Sequence, residues 1–159
     1  QIEGEWNYGQ PTGEGGKYGN PDPDSGYTGN NIYGVNLDGD YDVSEVGTYY
    51  LTSKPFNCKN FEDVKLKFAR WLNTDSPEYV KCTIEISTDG QQWNDVWEND
   101  SGITDDSWEV VEYDISQTAD DEFDVYIRWG YEILTDRAFP YSGWNIDDIE
   151  LVGKPNIEQ

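Results

Sequence analysis

From Ile32 onward, apolar and polar residues alternate with a period of two. Val64-Lys65-Leu66-Lys67-Phe68, Val80-Lys81-Cys82-Thr83-Ile84-Glu85-Ile86 and Phe123-Asp124-Val125-Tyr126-Ile127-Arg128-Trp129 show it best. That period is the mark of strands with one face buried. It predicts strands over 32–36, 46–53, 64–72, 79–87, 92–98, 108–115, 122–130 and 143–152. Asn73-Thr74-Asp75-Ser76-Pro77 and Asp89-Gly90 separate strands as turns, the second with a hairpin signature. No stretch holds a helical period. The expected fold is all-β: a two-sheet antiparallel β-sandwich or jelly roll.

The same alternation sorts side chains. Val64, Leu66, Phe68, Phe123, Val125, Ile127 and Trp129 are expected inside, with Trp144. Lys65, Lys67, Trp71, Lys81, Thr83, Glu85, Asp124, Tyr126 and Arg128 are expected outside. In Gly143-Trp144-Asn145-Ile146-Asp147-Asp148-Ile149-Glu150-Leu151, Ile149 and Leu151 look inward and Asp147 shares their direction. A carboxylate on an apolar face needs a partner.

Residues 1–31 are rich in Gly, Pro, Asn and Asp and read as an ordered, loop-rich segment of a single domain over 1–153, with 154–159 a tail or linker. Trp6, Tyr8 and Tyr18 in that segment are candidates for a loop-end site. The start at Gln1 and the absence of Met point to a piece of a larger multidomain chain.

Composition narrows the chemistry. With 33 Asp+Glu against 10 Lys+Arg, the net charge of −23 excludes nucleic acid and anionic membranes as partners. No apolar run is long enough for membrane insertion, and no signal peptide is visible. The chain has no His, which removes the usual general base and disfavours zinc. No nucleophile motif occurs, and carboxylate pairs mean little at this abundance, so the chain reads as non-catalytic. Cys58 and Cys82 are expected to be thiols; a hairpin of 64–72 with 79–87 sets Cys82 near Ala69.

Tyr49-Tyr50-Leu51-Thr52-Ser53-Lys54-Pro55, Ser87-Thr88-Asp89-Gly90-Gln91-Gln92-Trp93, Trp108 with Tyr113-Asp114-Ile115-Ser116, and the terminal Gly-Trp-Asn-Ile-Asp-Asp-Ile occur in that order. Together, over residues 6–152, they resemble the MAM-like jelly-roll accessory modules of secreted bacterial proteins, as found beside immune inhibitor A-type peptidase domains. The resemblance implies an extracellular or cell-surface β-sandwich, often calcium-stabilised. It also implies metal ligands at Asp22-Pro23-Asp24 and at Asp147. The His and Thr that follow the early Asp in that family are missing here, and its first strand has no clear counterpart.

Two sites are therefore expected. A calcium ion takes six to eight oxygens; Asp22, Asp24, Asn36, Asp40 and Asp147 are the candidate ligands, with Asp38 beside them. The Asn36–Asp42 run is no EF-hand, because Tyr49 stands where the bidentate Glu belongs. A ligand face is expected from Lys65, Lys67, Trp71, Lys81, Tyr126 and Arg128, the aromatic rings stacking on sugars and the cations fixing hydroxyls or carboxylates. Cross-strand ion pairing with Glu85 and Asp124 is the competing account of those cations. The function expected is binding of a polysaccharide or glycan, an acidic one included. A protein–protein or cell-surface adhesion role is the alternative, and a structural spacer the third.

Overall fold

In the computed structural model, which describes residues 1–156, the alternating stretches form strands that pair antiparallel throughout. In chain order they are β1 (Trp6–Gly9), β2 (Ile32–Val35), β3 (Gly47–Thr52), β4 (Phe61–Thr74), β5 (Val80–Ser87), β6 (Asn94–Glu98), β7 (Ile103–Thr104), β8 (Glu109–Asp114), β9 (Tyr126–Ile133) and β10 (Gly143–Pro155). One turn of helix, α1 (Ser116–Ala119), joins β8 to β9. A six-stranded sheet runs β1-β2-β10-β4, with β7 and β8 both pairing with β4; a four-stranded sheet runs β3-β9-β5-β6. The fold is the two-sheet antiparallel sandwich that the alternation predicts.

Val64, Leu66, Phe68 and Leu72 of β4 pack against Cys82 and Ile84 of β5 and Ile127 and Trp129 of β9. Trp144 of β10 reaches across the core and donates its indole N–H to the Gly130 carbonyl of β9 at 2.9 Å. That bond satisfies a donor whose burial would otherwise be costly. Phe123 departs from expectation: β9 starts only at Tyr126, and Phe123 is 63% exposed, with the Lys59 ammonium 5.3 Å from its ring.

Asn73–Pro77 is not a hairpin. β5 pairs with β9 and β6, so this segment carries the chain from one sheet to the other, and Cys82 stands opposite Tyr131 rather than near Ala69. Cys58 and Cys82 are both buried free thiols. The Asp89-Gly90 turn does join paired neighbours, β5 and β6.

β10 carries a bulge. Asp147 pairs with Ala69 but Glu150 with Lys67, so Asp148 and Ile149 together face the single residue Phe68, and Asp148 adopts a left-handed φ of 51°. The bulge changes the phase of the strand. Trp144 and Ile146 face the core before it, and Ile149 and Leu151 pack against the core after it. Asp147 therefore does not share the inward direction of Ile149 and Leu151; it points out with Asn145. β10 also continues to Pro155, past the expected boundary at 153, and residues 157–159 of the expected tail lie outside the described residues.

The loop-rich N-terminal segment is a strap across the outer face of the six-stranded sheet. Asn20 N–H donates to Asn73 Oδ1 (2.9 Å), Trp71 Nε1–H to the Pro21 carbonyl (3.1 Å), Asn145 Nδ2 to Asp22 Oδ1 (2.9 Å), and Thr28 N–H to Asp147 Oδ2 (3.2 Å). Trp6 belongs to β1 and is a core residue, its indole N–H donating to the Tyr49 carbonyl at 3.3 Å.

Candidate functional site

The six residues expected to form one ligand face lie on two opposite faces. Lys65, Lys67 and Trp71 stand on β4, on the outer side of the six-stranded sheet; Lys81 of β5 and Tyr126 and Arg128 of β9 belong to the four-stranded sheet. Alternation tells inside from outside but not which sheet a strand joins. Every cation of the set is also ion-paired: Lys65 to Glu112 (3.6 Å), Lys67 to Glu150 (3.9 Å), Lys81 to Glu98 (3.0 Å) and Arg128 to Glu85 (2.9 Å). The Arg128 guanidinium additionally stacks on Tyr50 and Trp93, 3.8 and 4.1 Å from their ring centres. Cross-strand pairing thus describes these cations as they stand.

Of the expected calcium ligands, Asp38 and Asp40 lie near Asp22, while Asp147 is engaged with the Thr28 turn. Asp40 accepts from the backbone N–H groups of Gly16 (2.8 Å) and Lys17 (3.2 Å), and Asn36 donates its amide to the Asp40 carbonyl (2.8 Å). Asp147 accepts from the N–H groups of Thr28 (3.2 Å) and Asp148 (2.9 Å). Asp24 and Asp38 are exposed. Among the described residues no group of three or more His, Cys, Asp or Glu is placed to hold a metal ion. Asp22 is different. It is buried against Asn145, and its Oδ2, like Asn145 Oδ1, is sealed from solvent with no hydrogen-bond partner among the described residues. Burial pushes its carboxyl up to about 8, and nearby Asp40 and Asp38 add to the rise against the lowering effect of the Asn145 amide.

Around Trp71 the sheet and strap build a surface site. The Trp71 ring meets Trp108 edge-on at 5.9 Å between centres, and Trp108 meets Tyr27 at 6.5 Å. Beside Trp71 lies a depression of about 360 Å³, bordered by Asn20, Pro21, Asp22, Asp24 and Asp106. Asp24 and Asp106 are exposed at its rim, and neither carboxylate bonds to another described residue. Asp147 and Asp148 hold the Tyr27 turn: Thr28 bonds to both, and Gly26 is the only residue type that fits against them. A Cβ there would lie 2.5 Å from the Thr28 carbonyl and 2.7 Å from Asp147 Oδ2. Trp108 and Tyr27 come from β8's entry and the strap, far from β4 in sequence, and no local pattern joins them to Trp71. Tyr8 instead meets Tyr33 at a tilt (4.7 Å between ring centres), and Tyr18 stacks on Phe139 (4.6 Å).

No family model matches this chain, and no curated protein matches it. Solved structures do. One, from work on the carbohydrate-binding modules of the β-sandwich superfamily, superposes with a TM-score of 0.52 at 11% identity, over 94% of this chain and 55% of that one. The likeness is one of fold. TmCBM61 in complex with β-1,4-galactotriose gives a TM-score of 0.44 at 12% identity, over 82% of this chain and 75% of that one. The glycoside hydrolase domain of Endo-D from Streptococcus pneumoniae R6 gives 0.48 at 15% identity, over 98% of this chain and 21% of that one. Nothing in these comparisons supports the MAM-like resemblance.

Proposed function

We propose that this chain is a non-catalytic, extracellular glycan-binding module of a larger secreted protein, docking its glycan at Trp71 on the outer face of the six-stranded sheet. The observation that carries this is the setting of Trp71. Its indole N–H is tied to Pro21, its ring is braced by Trp108, and it borders a depression whose rim carries two carboxylates with no partner among the described residues. A fixed aromatic ring stacks on the apolar face of a sugar, while carboxylate oxygens accept from sugar hydroxyls. The sandwich it shares with carbohydrate-binding modules supports the reading.

Calcium enters this proposal as a stabiliser, at the two unpartnered oxygens of Asp22 and Asn145, with carbonyls and water completing the shell. A protein-partner role has its own observation, the exposed Phe139 ring stacked on half-buried Tyr18. Retention on immobilised polysaccharides tests the main reading. Trp71→Ala abolishes retention and Lys81→Ala, on the opposite face, leaves it intact; equal behaviour of the two variants contradicts the site.

A further inference from the structure

The site at Trp71 belongs to a chain of net charge −23, and its rim is acidic as well. Asp24 and Asp106 flank the depression, with Asp22 buried at its edge. The cations that share this sheet are engaged elsewhere: Lys65 with Glu112, Lys67 with Glu150, and Arg70 with Asp105 at 3.0 Å. Among the described residues no lysine or arginine pairs with Asp24 or Asp106. An ionised carboxylate can only accept hydrogen bonds. A sugar hydroxyl supplies the donor it needs, whereas a uronate or sulfate brings a second acceptor of the same charge. At physiological salt the Debye length is roughly 8 Å, so the distant charge of the chain is screened while rim carboxylates in contact with the ligand are not.

Resting on the glycan-binding reading above, we infer that the Trp71 site takes neutral, hydroxyl-rich glycans and excludes uronic-acid and sulfated ones. The sugar ring lies on Trp71, and its hydroxyls donate to Asp24 and Asp106. This reverses the charge preference expected from the outward cations of the sequence, since the structure spends those cations on glutamates. Neutral binding through stacking and carboxylate acceptors releases no counterions, so it is insensitive to salt.

The test is biolayer interferometry of the whole chain on immobilised polysaccharides. The neutral set is galactan, xylan, β-glucan and galactomannan; the anionic set is polygalacturonate, alginate and chondroitin sulfate. The expected result is binding to at least one neutral glycan and to no anionic one, with affinity unchanged between about 50 and about 500 mM NaCl. Asp106→Ala weakens the neutral glycan by about tenfold, the loss of one hydrogen bond to a charged acceptor. Binding of an anionic glycan at low salt overturns the inference and leaves a glycan-binding module standing. Undiminished affinity in both Asp106→Ala and Asp24→Ala overturns the inference as well. Silence on every surface removes the glycan-binding reading itself.

Discussion

Thr28 and Asp148 lie 120 residues apart, and the Thr28 hydroxyl sits 2.7 and 2.9 Å from the two oxygens of the Asp148 carboxylate. The bulge that turns Asp148 into a left-handed conformation is what brings it there. Together with Asp147, it fastens the turn that sets Tyr27 against Trp108. Thr28→Val should therefore cost about 1 kcal/mol in urea unfolding, as one hydrogen bond at a partly wet site. It should also weaken glycan retention several-fold by loosening Tyr27. A stability loss with unchanged retention would separate the turn from the site.

Asp22 gives the chain a pH dependence of unusual sign. Its folded pKa of about 8 lies above the ordinary carboxylate value, so the folded state holds the proton that the unfolded state has lost. Its contribution to stability is full below about pH 4 and declines as pH climbs towards about 8. Asp42, Asp89 and Asp114 act oppositely: hydrogen bonds hold their carboxyls low, so their contribution is present above the usual carboxylate range and lost in acid. In chelator, melting temperature should fall from pH 5 to pH 8, and Asp22→Asn should flatten that slope. Calcium at Asp22 and Asn145 displaces the proton, so it should raise the melting temperature more at pH 8.5 than at pH 6. Identical melting curves with calcium and with chelator at both pH values would remove the ion from the account.

Burial raises both thiols, Cys82 up to about 12. Neither should react with a thiol-specific disulfide reagent in the native state, and both should react on unfolding. Rapid labelling of one thiol in native buffer would mean that its strand opens locally.

Arg128→Ala separates stability from binding. Its guanidinium is 20% exposed and Glu85 14%, so the variant strands a largely buried carboxylate and should lose about 1–3 kcal/mol. Glycan retention at Trp71, on the other sheet, should survive at temperatures where the variant is folded. Loss of retention without unfolding would move the site to the four-stranded face.

The sandwich was legible in the chain because alternation is a local property. Val64, Leu66 and Phe68 turn inward whichever sheet β4 joins. Which strands pair is not a local property, and alternation carries no trace of it. The arch at Asn73–Pro77 and a hairpin leave the same turn residues, so Lys65 and Lys81 looked like neighbours though they stand on opposite faces. Asp147 was misdirected for a related reason: one inserted residue at Asp148 inverts the face of what precedes it, and its left-handed conformation leaves no mark in an Asp-Asp pair. Trp71 was visible as an outward-facing aromatic, whereas Trp108, Tyr27 and the rim carboxylates join it only through the strap.

The seven tryptophans supply a direct reading of where a glycan docks, through the indole N–H signals of a ¹H–¹⁵N correlation spectrum. Titration with a retained neutral polysaccharide fragment should shift the signals of Trp71 and Trp108 and leave that of Trp93, stacked on Arg128 across the sandwich, in place. Movement of Trp93 with Trp71 and Trp108 unmoved would contradict the assignment of the site.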